Sequence, residues 1–279
     1  MAASINVKRY IQKFFAVFGV NPFAEPYEEI PLATRFFRNK ILIKTFFDLL
    51  KKSGLNAPAL YFHACSTGEE PYSFAIYNRE CIGLSISCRA SDYNQNALNL
   101  ARAGWYSNNT IEEVNRNFID NNFKKYFQKL ESGYVVDPVV RSLILGFDFL
   151  DYVCMDNDWV LSNRADAVFC NSSLLYHDHA TQEIVLEKLC AQAREILVVT
   201  GVENSILEKV LKKHGFNPYV VNWEEIYDGC ALRRVSVDPV YRTPTTPYLS
   251  DANKKKNHYF KYSIFLRIGG AVSNALGIK

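Results

Sequence analysis

The chain has 279 residues, 48% of them hydrophobic and 22% charged, with a formal net charge of +3. That profile belongs to a soluble globular protein with a real core, large enough for one generous domain or two small ones. Near-neutral charge gives no general case for nucleic-acid binding, and no apolar run approaches the roughly 20 residues of a membrane helix. Seven scattered cysteines without a CxxC pair argue against a zinc site or redox motif and for buried thiols in a reducing cytoplasm. The short apolar stretch FFAVFGV follows Lys13 and lacks the cleavage site of a signal peptide.

In chain order, Ile11, Phe14, Phe15 and Phe18 recur at helical spacing and predict a first helix. NPFAEPYEEIPLAT, with three prolines, reads as a connector, and RFFRNKILIKTFFDLLKKSG predicts a second helix that stops at Gly54. From residue 59 strand-like and helix-like segments alternate: ALYFHAC, PYSFAIYNREC, LSISCRASD and QNALNLARAG. This alternation predicts an α/β fold, a mostly parallel sheet covered by helices. Residues 105–145 interrupt it with Asn-rich sequence and the strand-like pair GYVVD and RSLILG, a small inserted β element. ADAVFCNSS, TQEIVLEKLCAQA, EILVVTG and NSILEKVLKKHG resume the alternation, and YVVNWEEI with CALRRVSV predicts a closing antiparallel pair. After a proline-containing linker, residues 252–279 combine lysines with Tyr259, Phe260, Ile264, Phe265 and Leu266. They read as a basic amphipathic helix suited to an anionic membrane surface or a partner, beside the plainer reading of a tail helix packed on the domain. The expected organisation is a helical stub over 1–55, a catalytic domain over 56–240 carrying the 105–145 insert, and a linker with a basic tail over 241–279.

The segment with most chemistry is HACSTGEEPYS, at the predicted carboxyl end of the first strand. Ligands of open α/β sheets bind there, where a glycine turn lets the backbone approach and a helix amino end supplies donors. No GxxxxGK[ST] pattern is present, and Glu69 and Glu70 would repel a pyrophosphate but suit a cationic ligand such as S-adenosylmethionine. Asp92, ending the second strand, occupies a place from which an acid grips ribose hydroxyls. Read singly, Asp92 is as well explained as a helix cap and the glutamates as a solvated first turn; together at this spacing they support one another.

Here the sequence resembles the CheR-type methyltransferases, which transfer methyl from S-adenosylmethionine to glutamate side chains of bacterial chemoreceptors. STGEEPYS carries the resemblance most clearly, followed in order by ASDYNQNALNLARAGWY, GFDFLD, ADAVFCNSSLLY, ATQEIVLEKL and VTGVEN, with ATRFFRN ahead of them. The resemblance implies a Rossmann-like fold and S-adenosyl-L-methionine as cofactor, leaving S-adenosyl-L-homocysteine. It implies that Glu70 meets the cofactor's ammonium, Asp92 its ribose, and Asp148 and Phe149 its adenine, with Ala64 and Asn171 in the same cofactor motifs. Thr34 and Arg38 match residues that reach over the cofactor, and Tyr176 a tyrosine beside the transferred methyl, so Arg38 and Tyr176 are the candidate catalytic residues. The family's Cys-Arg-Asn stretch reads Cys170, Asn171 and Ser172 here, and its longer N-terminal helical domain is represented by the expected stub. The implied activity is O-methylation of a carboxylate on a protein or smaller acceptor in the cytoplasm, with the basic tail over 252–279 as the expected contact to the inner membrane or a partner. A sugar or other small-molecule hydroxyl acceptor and a non-enzymatic cofactor-binding module are the alternatives. A hydroxyl would need a base, for which His177 and His179 stand next to Tyr176, although capping or surface roles are plainer for them. No metal site is expected.

Overall fold

The structure, a computed structural model, describes residues 34–38, 40–108, 110–111, 121–202, 204–219 and 264–278. The first predicted helix, its connector up to residue 33, most of the predicted 219–237 strand pair, Cys230 and the lysine-rich residues 252–263 lie outside the described residues.

Helix α1 (Lys40–Ser53) buries Leu42, Ile43, Phe46, Phe47, Leu49 and Leu50, an apolar face at helical spacing. It ends at Gly54, whose φ of +71° suits the left-handed position after a helix. Strand β1 (Ala59–His63) leads into helix α2 (Glu69–Tyr77), which continues as a π-helical turn over Asn78–Ile82. Strand β2 (Ser87–Asp92) leads into helix α3 (Gln95–Ala103), where Asn94 caps the start by accepting from the amides of Asn96 and Ala97.

The segment that follows splits between two sheets. Strands β3 (Trp105–Tyr106), β4 (Phe127–Leu130) and β5 (Gly133–Val136) form a three-stranded antiparallel sheet in the order β3-β5-β4. The predicted strand RSLILG does not join it. After helix α4 (Pro138–Arg141), the chain enters the main sheet as β6 (Ile144–Phe149), pairing in parallel with β2. Its inward residues Ile144 and Phe147 enter the core on the α1 and α2 side of the main sheet.

Helix α5 (Asn157–Ser162), strand β7 (Ala165–Cys170), helix α6 (His179–Gln192), strand β8 (Ala193–Val199), helix α7 (Asn204–Lys213) and strand β9 (Phe216–Tyr219) continue the alternation. Strand β10 (Ile264–Arg267) and the short helix α8 (Ala271–Ala275) complete the described chain. The main sheet has seven strands in the order β6-β2-β1-β7-β8-β10-β9. β6, β2, β1, β7 and β8 run parallel, while β10 is antiparallel to both β8 and β9. This is the α/β, Rossmann-like architecture expected.

The amphipathic helix expected in the tail is corrected at its apolar centre. Ile264, Phe265 and Leu266 form β10 between two strands of the main sheet. Ile264 and Leu266 enter the core on the α1 and α2 side of the sheet, while Phe265 enters the opposite core beneath α6 and α7. Side chains alternating between two buried faces satisfy a two-residue period, which a helix with one apolar face cannot. Arg267 fastens the strand end: its guanidinium donates to the carbonyls of Arg194, Cys190 and Ala193 and lies over the Phe216 ring.

The order of connections reverses at β1, which has β2 on one side and β7 on the other. In open parallel sheets the crevice at such a reversal, beyond the strand carboxyl ends, is where ligands bind.

Candidate functional site

A cavity of about 670 Å³ opens beyond the carboxyl ends of β1, β2 and β7, within the size range of small-molecule sites. Its floor is the turn after β1. Ala64 and Ser66 both adopt positive φ (52° and 51°), a backbone state that costs non-glycine residues on the order of 1–3 kcal/mol each. Gly68, at φ +90°, closes the turn; a Cβ there would stand 3.0 Å from Ala101 Cβ. Glycine therefore lets α2 start against α3. Ala64 and Ser66 line the cavity, and Ser66 Oγ is a buried hydroxyl without a hydrogen-bond partner.

The adjacent glutamates face different surroundings. Glu70 lines the cavity and accepts a 2.7 Å hydrogen bond from Asn171 Nδ2. Burial pushes its carboxyl above the usual pKa, opposed by the Asn171 bond and the Arg38 charge. Glu69 lies behind the turn, 5% exposed, and accepts from Thr67 Oγ1 at 2.6 Å. Burial carries it up to about 7, against hydrogen bonds from Thr67, the helix amino end and Thr34.

Asp92, at the end of β2, is shared between two turns. It accepts from the Ser66 amide at 2.7 Å through Oδ2 and from the Asn94 amide at 2.9 Å through Oδ1. Burial raises its pKa, while these amides oppose the shift. The bonds lock the ends of β1 and β2 together and leave Asp92 lining the cavity.

Asp148 and Phe149, expected on the adenine side, do not line the cavity. Asp148 is engaged by Tyr61 Oη and Arg89 Nη2, both at 3.1 Å. Phe149 sits opposite Asp92 in the β2–β6 register and is 63% exposed. That wall is formed instead by Asp151, Tyr152 and Val153, in the turn following β6. GFDFLD contains two aspartates, and strand alternation turns Asp148 toward Tyr61 and Arg89 while Asp151 falls past the strand end, a distinction the motif alone does not reveal.

The opposite wall follows β7. Ser172, at φ +58°, donates its amide to Thr200 Oγ1 at 2.9 Å, and Thr200 donates to Asn171 Oδ1 at 3.3 Å. Asn171 is thereby turned so that its amide nitrogen meets Glu70. Tyr176 reaches the rim with 57% exposure. Tyr152 and His177 face each other through a 2.8 Å bond between Oη and Nε2 and also line the cavity. Asp178 caps α6 by accepting from the Thr181 amide, and exposed His179 is the first residue of that helix, so neither serves the cavity.

The roof is the segment 34–38. Thr34, Arg35 and Arg38 line the cavity, and Arg38 Nη2 donates to Ser172 Oγ at 3.1 Å. Seven expected site residues, Thr34, Arg38, Ala64, Glu70, Asp92, Asn171 and Tyr176, thus surround one space. Arg35, Ser73 and Tyr93 join them; they lie in the motifs ATRFFRN, STGEEPYS and ASDYNQNALNLARAGWY but are not among the expected site residues.

This donor set fits S-adenosylmethionine. A carboxylate for an ammonium, a second carboxylate at an adjacent strand end for ribose hydroxyls and an arginine for a carboxylate are all present, with an unpartnered Ser66 hydroxyl between them.

Residues 33–215 match the family described as CheR methyltransferase, SAM binding domain. Among curated proteins, the chain is 30% identical over 168 residues to chemotaxis protein methyltransferase 2 of Pseudomonas aeruginosa, covering 58% of each chain. It is 30% identical over 164 residues to the chemotaxis protein methyltransferase of Klebsiella aerogenes, covering 56% of this chain and 53% of that one. The match thus spans little more than half the length of these relatives. Among solved structures, magnesium protoporphyrin IX methyltransferase from Synechocystis PCC 6803 overlaps 76% of this chain and 86% of its own, at 12% identity and a TM-score of 0.39.

Proposed function

Since the chain belongs to the CheR methyltransferase family through its S-adenosylmethionine-binding domain, we propose that it is an O-methyltransferase that methylates a carboxylate on a protein or smaller acceptor. The observation that carries this reading is the placement of Glu70 and Asp92 in one cavity at the reversal point of the sheet, with Asp92 held to the turn after β1 by the Ser66 amide.

S-adenosylmethionine, when bound, supplies an activated methyl on a sulfonium, so the protein's task is placement and exclusion of water. Glu70, turned by Asn171, holds the ammonium of the amino-acid end. Asp92 holds the ribose hydroxyls. Thr34 and Arg38 cover the amino-acid end from above, and Arg38 orients carboxylate groups there. Tyr176, at the rim, steers the acceptor. A carboxylate acceptor is already ionised at neutral pH and needs no base.

A protein acceptor agrees with the relatives' printed names as chemotaxis protein methyltransferases. We place the protein in the cytoplasm. Residues 252–263, with Lys254, Lys255, Lys256 and Lys261, are the candidate contact to a membrane surface or partner. The Tyr152–His177 pair supports a second reading, a hydroxyl acceptor, because it sets an imidazole against the cavity.

Transfer of labelled methyl from the cofactor into a lysate of the source cell, followed by alkali, tests the proposal. Label released as volatile methanol supports a carboxylate ester. Alkali-stable label favours the hydroxyl reading, and no transfer contradicts both.

A further inference from the structure

The residue ahead of Arg38 has an unusual backbone. Phe37 adopts φ +53°, in the left-handed region where a bulky side chain is a true outlier. Two features hold it there. Its ring is 4% exposed and packs 4.8 Å from the Phe123 ring, while neighbouring Phe36 packs edge-on against Tyr106 and Phe127. Its amide donates 2.7 Å to Ser73 Oγ on α2. The same hydroxyl donates to the Glu69 carbonyl at 2.5 Å, a bond one helical turn back. Ser73 is 1% exposed, and a hydroxyl can serve as donor and acceptor together.

This bond joins the Thr34–Glu69 hydrogen bond in tying α2 to the roof segment, and it falls on the residue whose conformation aims the next one. Were Phe37 to relax to ordinary negative φ, the direction of the chain into Arg38 would change, and the guanidinium would leave Ser172 and the neighbourhood of Glu70. We propose that Ser73 is a positioning residue, holding Phe37 in its left-handed conformation so that Arg38 points into the cavity at the amino-acid end of the cofactor. The proposal rests on the functional reading above. It also gives the last residue of STGEEPYS a use: the turn supplies Glu70 to the ligand and, one helical turn later, the hydroxyl that aims the arginine opposite.

Two measurements on the intact chain test it. Amide exchange at Phe37 should be at least tenfold faster in Ser73→Ala than in the parent, with α1 and β1 equally protected in both. Calorimetric affinity for S-adenosylhomocysteine should fall five- to tenfold in Ser73→Ala and by a similar factor in Arg38→Ala, and the double variant should be no weaker than the weaker single one. Ser73→Thr, which keeps the oxygen and can make the same bond back along the helix, should stay within twofold of the parent. Unchanged exchange at Phe37, or losses that multiply in the double variant, overturns the proposal. A folded parent that binds no S-adenosylhomocysteine overturns the functional reading instead, whereas a parent that binds while Ser73→Ala binds equally well overturns this inference alone.

Discussion

Glu70 is half-buried, and its raised pKa means that part of its charge is lost sooner on acidification than an ordinary glutamate's. A cationic ligand favours the ionised form, so affinity for S-adenosylmethionine should be flat at alkaline pH and weaken as pH falls through that raised value. Glu70→Gln should bind about 10–100-fold more weakly, as expected for a lost charged hydrogen bond, and titrations from pH 5 to 8 should show a flatter dependence. Tyr176 is exposed at the rim and makes no floor of the site. Tyr176→Phe should therefore bind the cofactor as the parent does and slow turnover, read by single-turnover transfer; an unchanged rate removes the hydroxyl from the account. Glu70 and Asp92 are legible in the sequence because a strand followed by a glycine turn and acids is a local pattern. Ser73 is not, since its partner Phe37 lies 36 residues away.

At the scale of elements, the start of α2 carries a cost. Glu69 is buried with a pKa of about 7 against an ordinary 4.5, so the folded state binds the proton more tightly than the unfolded chain. The sign follows: between pH 4.5 and 7 the unfolded chain has released this proton and the folded chain has not, so stability from this group falls as pH rises and levels off above 7. Glu69→Gln should raise the melting temperature of the ligand-free protein at pH 8 and lose that advantage near pH 4.5. Equal shifts at both pH values would remove Glu69 as the titrating group. The C-terminal strand gives a second test. Phe265 is fully buried in β10, and Phe265→Ala should destabilise by about 3–5 kcal/mol in urea titration; a loss under about 1 kcal/mol would be inconsistent with a core strand. The sequence alone suggests a helix here because IFL beside lysines fits an amphipathic pattern equally well. Three apolar residues do not define a period, and the partners β8 and β9 that decide the matter are distant in the chain.

Across the molecule, alternating strands and helices made the parallel sheet legible, and that sheet alone places the cavity. The reversal of order at β1 brings the turn after β1, Asp92 after β2 and Asn171 after β7 to one crevice. The division of residues 105–149 between two sheets was less legible, because GYVVD and RSLILG are similar strand signals whose destinations depend on which surface remains uncovered. The roof segment completes the site by spanning the small sheet, through Phe36, and α2, through Ser73. Asp92 is the residue on which the whole arrangement converges, since it bridges the turns of β1 and β2 and faces the proposed ribose. The most direct test is calorimetric titration of the parent and Asp92→Asn with S-adenosylhomocysteine. The parent should show one saturable site per chain and the variant an affinity lower by about 10–100-fold, the loss expected for a hydrogen bond to a charged group. No binding by the folded parent, or equal affinity in the two proteins, would contradict this assignment.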